Sequence, residues 1–303
     1  MGSAFNLGKV FGIQFRLHYT WFIIFILVTT SLVYPNWSSL LYWIMAIVTS
    51  LLFFASILAH ELAHSLVGRV NDIPIKSITL FIFGGVAQMT REARSAGAEL
   101  KMAVAGPACS LVIGSLFGLL WYFNQSMSEP IAIMVYWLAF INVALAAFNL
   151  IPGFPLDGGR VFRSLLWRFT GNYKGSTRIA TQVGRGIGYL FILVGILMIF
   201  LHPPNWSWFN GLWLAFIGWF LENAASASYR QTQWQGALQG LSASQVMTSN
   251  CPVIPPDITL NQLVQDYIFT TGHNCFLVAD EGKLEGILTL HNIKTVSQQN
   301  KNV

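Results

Sequence analysis

Charged side chains are scarce in this chain. Asp, Glu, Lys and Arg together make up 10% of its 303 residues, whereas hydrophobic residues make up 54%. Because about one quarter of the residues in a soluble domain are charged, the composition excludes an ordinary soluble fold for most of the chain. The deficit is greatest over Leu17–Leu221, which we predict to lie in a lipid bilayer.

Cysteine is also rare, and Cys109, Cys251 and Cys275 form no CxxC pair. Cys109 lies in an apolar run, where packing is the simplest role. The spacing of the three cysteines predicts no disulfide framework. The two isolated thiols in the polar tail favour a reducing compartment. The first apolar run follows Arg16 without a small-x-small cleavage site, so no cleavable signal peptide is predicted.

The formal net charge of +5 does not indicate a nucleic acid partner. The basic residues cluster beside the apolar runs instead of forming one basic stripe, as expected of residues that set membrane topology. We therefore predict the lipid bilayer as a partner and no nucleic acid.

Several apolar runs approach the length of about 20 residues that a spanning helix needs. The six candidate spans are Leu17–Tyr34, Leu40–Val67, Met102–Phe123, Ile131–Ile151, Ile187–Leu201 and Trp206–Leu221. The last two are short and could begin earlier. If the N-terminus is cytoplasmic, all 17 basic residues lie on the cytoplasmic side, as the positive-inside rule requires. We expect a multi-pass protein of the inner membrane of a prokaryote, with both termini in the cytoplasm.

Two stretches between the spans have their own patterns. Ile75–Met89 is rich in β-branched and aromatic residues around Gly84 and Gly85, and it predicts a strand pair with a turn. Such a segment must pack against protein or line a wet cavity, because unpaired backbone cannot face lipid. Arg160–Phe169 predicts a short amphipathic helix at the inner interface.

The composition becomes polar after Leu221. We predict a membrane domain over 1–228, a linker over 229–240 and a small soluble domain over 241–303. In the tail, Leu260–Phe269 reads as a helix, and Cys275–Ala279 and Gly286–Leu290 as strands. The predicted fold class is an all-α polytopic membrane protein with a short membrane-associated β segment, followed by a small α/β domain.

The central motif is His60-Glu61-Leu62-Ala63-His64, which lies within the second span. Residues four apart share one helix face, so both imidazoles can bind one Zn²⁺. Glu61 lies on the flank of that face, where it can act as a general base without being a ligand. Ionisable groups are rare inside apolar helices without a function, so the position favours a metal site over a chance match.

A catalytic zinc usually has three protein ligands, and Asp157 is the candidate for the third. It follows the fourth span, on the same predicted side of the membrane as His60 and His64. Pro152 and Pro155 stop the helix before it, which lets the acid turn back toward the histidines. Taken alone, an Asp-Gly-Gly sequence is equally typical of a turn.

These two motifs, in this order and topology, resemble those of the site-2 protease family of intramembrane zinc metalloproteases. The resemblance covers most of the apolar region and includes the N-x-x-P-x-x-P-L-D-G-G pattern that starts at Asn149. It implies one zinc ion per chain, held by His60, His64 and Asp157, with Glu61 as the catalytic base. It also implies that Asn149 helps to hold the substrate or its developing oxyanion.

The tail resembles a single CBS module. The matching segments are Val246-Met247, Phe276–Val278, Gly286–Thr289 and Asn292-Ile293. CBS motifs usually work as pairs, so the resemblance implies a homodimer or higher oligomer. Where the family has a nucleotide-contacting Asp, this sequence has Asn292, and nucleotide binding is therefore left open.

Together these features predict an intramembrane metalloprotease. We expect it to hydrolyse peptide bonds within or next to the spanning segments of single-span membrane proteins, in regulated intramembrane proteolysis under control of the tail. Gly84 and Gly85 are predicted to contact the substrate, because their strand pair offers an edge for strand addition. The alternative is a CBS-regulated membrane metal-ion transporter. Transporters often contain repeated halves, and this chain has no repeat.

Overall fold

The computed structural model describes residues 4–34, 36–82, 84–124, 126–201, 208–238, 242–247, 251–280, 282–290 and 292–293. Contacts divide the chain into two compact units, Met1–Ala237 and Leu238–Val303. The three predicted domain ranges stay predictions, although a helix continues through most of the predicted linker 229–240, as far as Leu238.

Helices dominate the described part of the first unit. They are α1 (Trp21–Val33), α2 (Leu40–Val70), α3 (Ala96–Phe123), α4 (Glu129–Asn149), α5 (Asp157–Thr170), α6 (Tyr173–Leu201) and α7 (Trp208–Leu238). Among them α2, α3, α4 and α6 are long and apolar enough to cross a membrane, by length and composition. Four of the six predicted spans are thus confirmed as helices of spanning character.

The two remaining predicted spans differ from expectation. The first was predicted to begin at Leu17, but that residue is buried within a strand over Ile13–His18, and α1 has 13 residues. Residues 206 and 207 of the sixth lie outside the described residues, and the helix there is α7. The tryptophans and glycines of α7 and its Asn210 lower its mean hydropathy, so it is not among the four apolar spans. That these two helices cross the membrane stays a prediction.

The fifth predicted span, Ile187–Leu201, is the C-terminal half of a longer helix. Helix α6 begins at Tyr173 and has 29 residues. Its first half carries Arg178 and Arg185, and these charges conceal the helix when only apolar runs are counted.

Four described strands of the first unit form one sheet in the order β1-β2-β3-β4. The strands are β1 (Ala4–Val10), β2 (Ile13–His18), β3 (Ile75–Phe81) and β4 (Gly84–Met89). β1–β2 and β3–β4 pair antiparallel, β2 and β3 pair parallel, and β4 lies at an edge. The predicted strand pair over Ile75–Met89 is confirmed, but it is half of a larger sheet.

Strand β2 was absent from the sequence-based prediction, and its pattern explains its place. Ile13, Phe15 and Leu17 are buried, whereas the residues between them are partly exposed. This alternation is that of a strand with one buried face. Ile13 and Phe15 pack with Ile75 and Ile78 of β3, so the N-terminal hairpin supports the predicted strand pair.

The predicted amphipathic helix is confirmed as part of α5. It begins at Asp157, after Pro155, and ends where Gly171 adopts a left-handed conformation with φ 66°. This helix packs against α3 and α6. Its position at a membrane interface stays a prediction.

The second unit contains a three-stranded sheet in the order β5-β6-β7. Its strands are β5 (Val253–Ile254), β6 (Cys275–Asp280) and β7 (Lys283–Thr289), and a helical segment over 260–271 precedes β6. Ile254, Leu263 and Phe276 form its buried core. The predicted helix and strands of the tail are confirmed, with β7 starting three residues before the predicted Gly286.

The prediction of isolated thiols in the tail is wrong. Cys251 and Cys275 form a disulfide with Cα atoms 5.6 Å apart. The parallel register pairs Val253 with Leu277, and each cysteine lies two residues before one of these partners, so the two side chains meet on one face. The inference of a reducing compartment from cysteine usage therefore loses its basis.

Candidate metal centre

The two histidines of the HExxH motif lie on one face of α2 and point into the protein. His60 and His64 are both buried, and their Nε2 atoms are 3.1 Å apart. Such proximity follows from their spacing, because residues four apart lie one above the other on a helix.

Asp157 reaches the same point from a distant part of the chain. It is the first residue of α5, and its Oδ2 lies 3.1 Å from His60 Nε2 and 3.0 Å from His64 Nε2. Helix α4 ends at Asn149, and the following residues turn the chain back before the acid. The structure therefore brings together the three residues predicted as metal ligands, and within the described residues they form the one cluster suited to a metal ion.

Helix α3 orients both imidazole rings through their other nitrogens. His64 Nδ1 donates to the carbonyl oxygen of Met102 at 2.6 Å, and His60 Nδ1 lies 2.8 Å from Ser110 Oγ. A neutral imidazole with its proton on Nδ1 has a lone pair on Nε2. Two nitrogen lone pairs and a carboxylate oxygen then converge on one point. This arrangement of electron-pair donors favours the binding of a cation.

The donor set and its dimensions fit zinc. Nitrogen and oxygen ligands lie about 2.0–2.1 Å from zinc in tetrahedral sites, so neighbouring ligand atoms are about 3.3 Å apart. The three separations of 3.0–3.1 Å are close to that value. Burial alone would raise the pKa of the Asp157 carboxyl. Hydrogen bonds from the two imidazoles, in the state in which they carry a proton on Nε2 and no cation is bound, outweigh burial and lower that pKa below its usual range.

Gly106 of α3 leaves the space in which the ligand atoms meet. A Cβ atom at this position would lie 2.1 Å from His64 Nε2 and 2.6 Å from His60 Nε2. Sequence reasoning missed Gly106 together with Ser110 and the Met102 carbonyl. The only local signal is a glycine beside Pro107 in an apolar helix, and it does not reveal which helix faces the histidines.

Glu61 lies beside the ligand cluster and against β4. A Cβ atom at Gly85 would come within 2.3 Å of Glu61 Cγ, so only glycine allows this approach of strand and helix. Gly84 precedes it with φ 116°, in the left-handed region. Asn149 donates from Nδ2 to the carbonyl oxygen of Leu145 at 3.0 Å.

Two cavities meet at Glu61. One has a volume of about 220 Å³ and contains the metal cluster, Met89 and Arg160 in its wall. The other has a volume of about 470 Å³ and a mainly apolar wall formed by residues of α1, α2, α4 and α7. Glu61, Gly85 and Asn149 line both. The residues predicted to touch the substrate thus lie where an apolar chamber joins the ligand cluster.

In the second unit, the side chain of Asn292 forms hydrogen bonds with a residue close to it in the sequence. Its Oδ1 accepts hydrogen bonds from the Thr289 backbone N at 3.1 Å and from Thr289 Oγ1 at 2.6 Å. An Asn at this place therefore caps the end of β7. Nucleotide binding by the tail stays a prediction.

Two family models and several known proteins match this chain. Residues 48–133 and 121–195 match the sequence model of Peptidase family M50, and residues 243–298 match that of the CBS domain. A protein of Synechocystis sp. named as a candidate zinc metalloprotease is 38% identical over 98% of this chain and 79% of its own length. A zinc metalloprotease of Methanocaldococcus jannaschii is 30% identical over 97% of this chain and 80% of its own length.

The fold comparison gives the same assignment. The solved structure of a site-2 protease from Methanocaldococcus jannaschii matches with a TM-score of 0.53 and 31% identity, covering 75% of this chain and 95% of that one. None of these relatives is named as a metal-ion transporter. The chain therefore belongs to Peptidase family M50 and is an integral membrane zinc metalloprotease with a CBS domain.

Proposed function

We propose that this protease cleaves peptide bonds within or next to the spanning segments of membrane-anchored proteins, with Glu61 as its general base. The observation that carries the proposal is the position of Glu61 between the ligand cluster and the apolar chamber. A substrate segment leaving lipid would be received by the apolar chamber and would meet the carboxylate and the metal ligands at the same end.

His60, His64 and Asp157 would hold the zinc. When bound there, zinc lowers the pKa of a water molecule and polarises the carbonyl of the scissile bond. Glu61 then accepts the proton of the attacking water and delivers it to the leaving amine, because its side chain flanks the cluster without belonging to it. Met102 and Ser110 keep both rings in the orientation that directs Nε2 to the metal.

Asn149 is proposed to donate a hydrogen bond to the oxyanion. Its Nδ2 uses one hydrogen in the bond to Leu145, so the second hydrogen is available to the substrate. Contacts of this type contribute about 3–4 kcal/mol to transition-state stabilisation in enzymes where they have been measured.

Glu61→Gln should abolish cleavage while the purified protein keeps its zinc. The amide keeps the shape of the side chain but cannot accept a proton, and none of the proposed ligand atoms changes. The test reconstitutes the wild type and the variant in vesicles with a single-span substrate, follows the cleavage products, and measures zinc per chain.

Glu129→Gln provides the matched control, because it makes the same change at an exposed glutamate outside both cavities. It should cleave at the wild-type rate. Normal cleavage by Glu61→Gln would exclude the proposed base, and absence of cleavage by the wild type across a panel of single-span proteins would exclude the proposed substrate class.

The edge of β4 is proposed to align the substrate as an added strand. An unfolded segment needs partners for its backbone within the membrane, and an edge strand provides them. Gly84 and Gly85 would let that segment approach Glu61 closely, because neither presents a side chain.

Val86→Pro should therefore lower the rate of cleavage at least tenfold, with zinc content unchanged. Val86 lies in β4 and is half-exposed, and proline removes a backbone donor and stiffens the strand. Val86→Thr is the control, because it keeps the backbone N–H and the branched shape. Equal rates for the proline and threonine variants would contradict strand addition.

The tail is proposed to regulate proteolysis by pairing with the CBS motif of a second copy. The support is that residues 243–298 contain one CBS match, whereas the motif usually works in pairs. Deleting residues 241–303 should change the cleavage rate and abolish dimers seen by crosslinking.

A cytoplasmic position of both termini in a prokaryotic inner membrane is likewise proposed, on the distribution of Lys and Arg.

A further inference from the structure

A polar cavity with a volume of about 410 Å³ lies between α6 and α7, apart from the metal centre. Helix α6 contributes Arg178, Thr181, Gln182 and Arg185 to its wall. These residues follow one another at spacings of three, one and three, so they lie on one face of the helix. None of them lines either cavity at Glu61.

Helix α7 supplies the opposite wall with Ser226, Tyr229 and Arg230. Their spacings of three and one again place them on one face. Two helices thus direct three guanidinium groups, a phenol and small hydroxyls at one space. None of these groups takes part in the proposed proteolysis.

The charges of this cavity are only partly compensated. Arg185 Nε donates to Glu222 Oε1 at 3.0 Å, and the same oxygen accepts from Ser226 Oγ at 2.8 Å. Arg178 and Arg230 make no ion pair with any residue that the structure describes. The cavity therefore retains positive charge that an anion would neutralise.

Thr181 gives an independent indication of a ligand. Its side chain is 2% exposed, and its Oγ1 has no hydrogen-bond partner within the described part of the chain. Buried polar atoms without a partner are rare in native proteins, because the cost of desolvation is not recovered. A ligand oxygen in the cavity would accept a hydrogen bond from this hydroxyl.

The position of the cavity along the helices identifies the kind of anion. After Arg185, α6 carries no charged residue to its end at Leu201, and α7 carries none from Trp208 to Leu221. The cavity thus lies where both helices change from apolar to polar. Tyr189 Oη, within hydrogen-bond distance of Arg185 Nη2 at 3.2 Å, adds the amphipathic aromatic group typical of a membrane interface.

We propose that this cavity binds the phosphate group of an anionic phospholipid. Arg178 and Arg230 would contact the phosphate oxygens from opposite helices, and Thr181 would donate to one of them. The acyl chains would lie along the exposed apolar surface of α6 that includes Leu190, Leu193 and Leu197. Basic pockets between spanning helices bind lipid head groups in this way, and arginine matches the geometry of phosphate oxygens.

The test measures lipid binding directly and does not depend on proteolysis. The full chain in neutral detergent is titrated with phosphatidylglycerol, and bound lipid is counted by native mass spectrometry, with phosphatidylcholine as the neutral reference. The double substitution Arg178→Gln and Arg230→Gln should weaken phosphatidylglycerol binding about twenty-five-fold, since each basic residue near an anionic lipid contributes about fivefold. Binding of phosphatidylcholine should not change.

The double substitution Arg168→Gln and Lys174→Gln is the matched control. It removes two exposed charges that do not line the cavity, so phosphatidylglycerol binding should stay at the wild-type level. Equal weakening in both double variants would mean a general attraction to surface charge and would overturn the proposal. So would an arginine-dependent affinity for inorganic phosphate without one for phosphatidylglycerol, because the anion would then be a soluble one.

Thr181→Val tests the phospholipid site even if the double arginine variant does not fold. It keeps the shape of the side chain and removes only the unpartnered hydroxyl. We expect a severalfold loss of phosphatidylglycerol affinity at an unchanged melting temperature. Wild-type affinity in this variant, together with a misfolded arginine variant, would overturn the proposal.

Discussion

Gly106→Ala should remove zinc from the protein and abolish proteolysis at the same time. The added Cβ would lie 2.1 Å from His64 Nε2 and 2.6 Å from His60 Nε2, which are the proposed ligand atoms. Neither ring can retreat easily, because Ser110 and the Met102 carbonyl hold their other nitrogens from the same helix, α3. Zinc per chain, measured on purified protein, should fall close to zero.

Gly118→Ala in the same helix is the matched control. Its Cβ would meet only Ala139 Cβ at 3.9 Å, which is an ordinary contact. Alanine is favoured over glycine inside a helix by about 1 kcal/mol, so neither substitution is expected to weaken α3 itself. A Gly106→Ala protein that keeps one zinc per chain would contradict the proposed ligand set.

Glu99→Leu should lower the free energy of unfolding by about 3–5 kcal/mol, because it leaves a buried guanidinium without its partner. Glu99 in α3 is 1% exposed, and its Oε1 accepts from Arg163 Nε at 2.8 Å. Glu92 Oε2 lies 3.7 Å from Arg163 Nη2 but is half-exposed, so it compensates only in part. Thermal and denaturant unfolding in detergent would measure the loss.

The double substitution Glu99→Leu and Arg163→Met separates charge from packing. It removes both charges, and most of the lost stability should return, because apolar residues can replace a buried ion pair at little cost. Arg163 also lies 4.8 Å from the ring centroids of Phe154 and Tyr173, and methionine can still pack against these rings. A double variant as unstable as Glu99→Leu would show that packing, and not the unpaired charge, is the cause.

The ion pair also bears on the metal centre. Arg163 lies in α5, the helix that begins with Asp157, and it ties this helix to α3, which orients His60 and His64. In Glu99→Leu, zinc affinity should therefore fall together with stability. The double variant should recover both.

The chemistry of the site was predictable because it depends on local rules. Two histidines four residues apart must share a helix face, so His60 and His64 could be paired from their spacing. The prolines before Asp157 indicated a turn, and a third ligand was required by the coordination habits of zinc. The long apolar runs predicted spanning helices, because the chain has too few charged residues to form a water-soluble surface around them.

Several features were decided only by contacts through space. Only the last two residues of β2, Leu17 and His18, belong to the predicted first apolar run. The segment becomes a strand because β3, some sixty residues later, pairs with it. The disulfide between Cys251 and Cys275 depends on the register of β5 against β6. Both pairings join segments that are far apart in the sequence, and the sequence alone does not indicate which distant segments come into contact.

The same limit applies around the proposed zinc. The sequence by itself determined which residues can hold the ion and that they lie in a membrane-embedded helical protein. Only the tertiary structure decided that Gly106 faces the ligand atoms, that α3 orients the rings, and that Arg178 and Arg230 share a cavity. The ability to bind a metal depends on the types of side chain and their short spacing in the sequence. Which residues of other helices contact those ligands depends on how the helices pack.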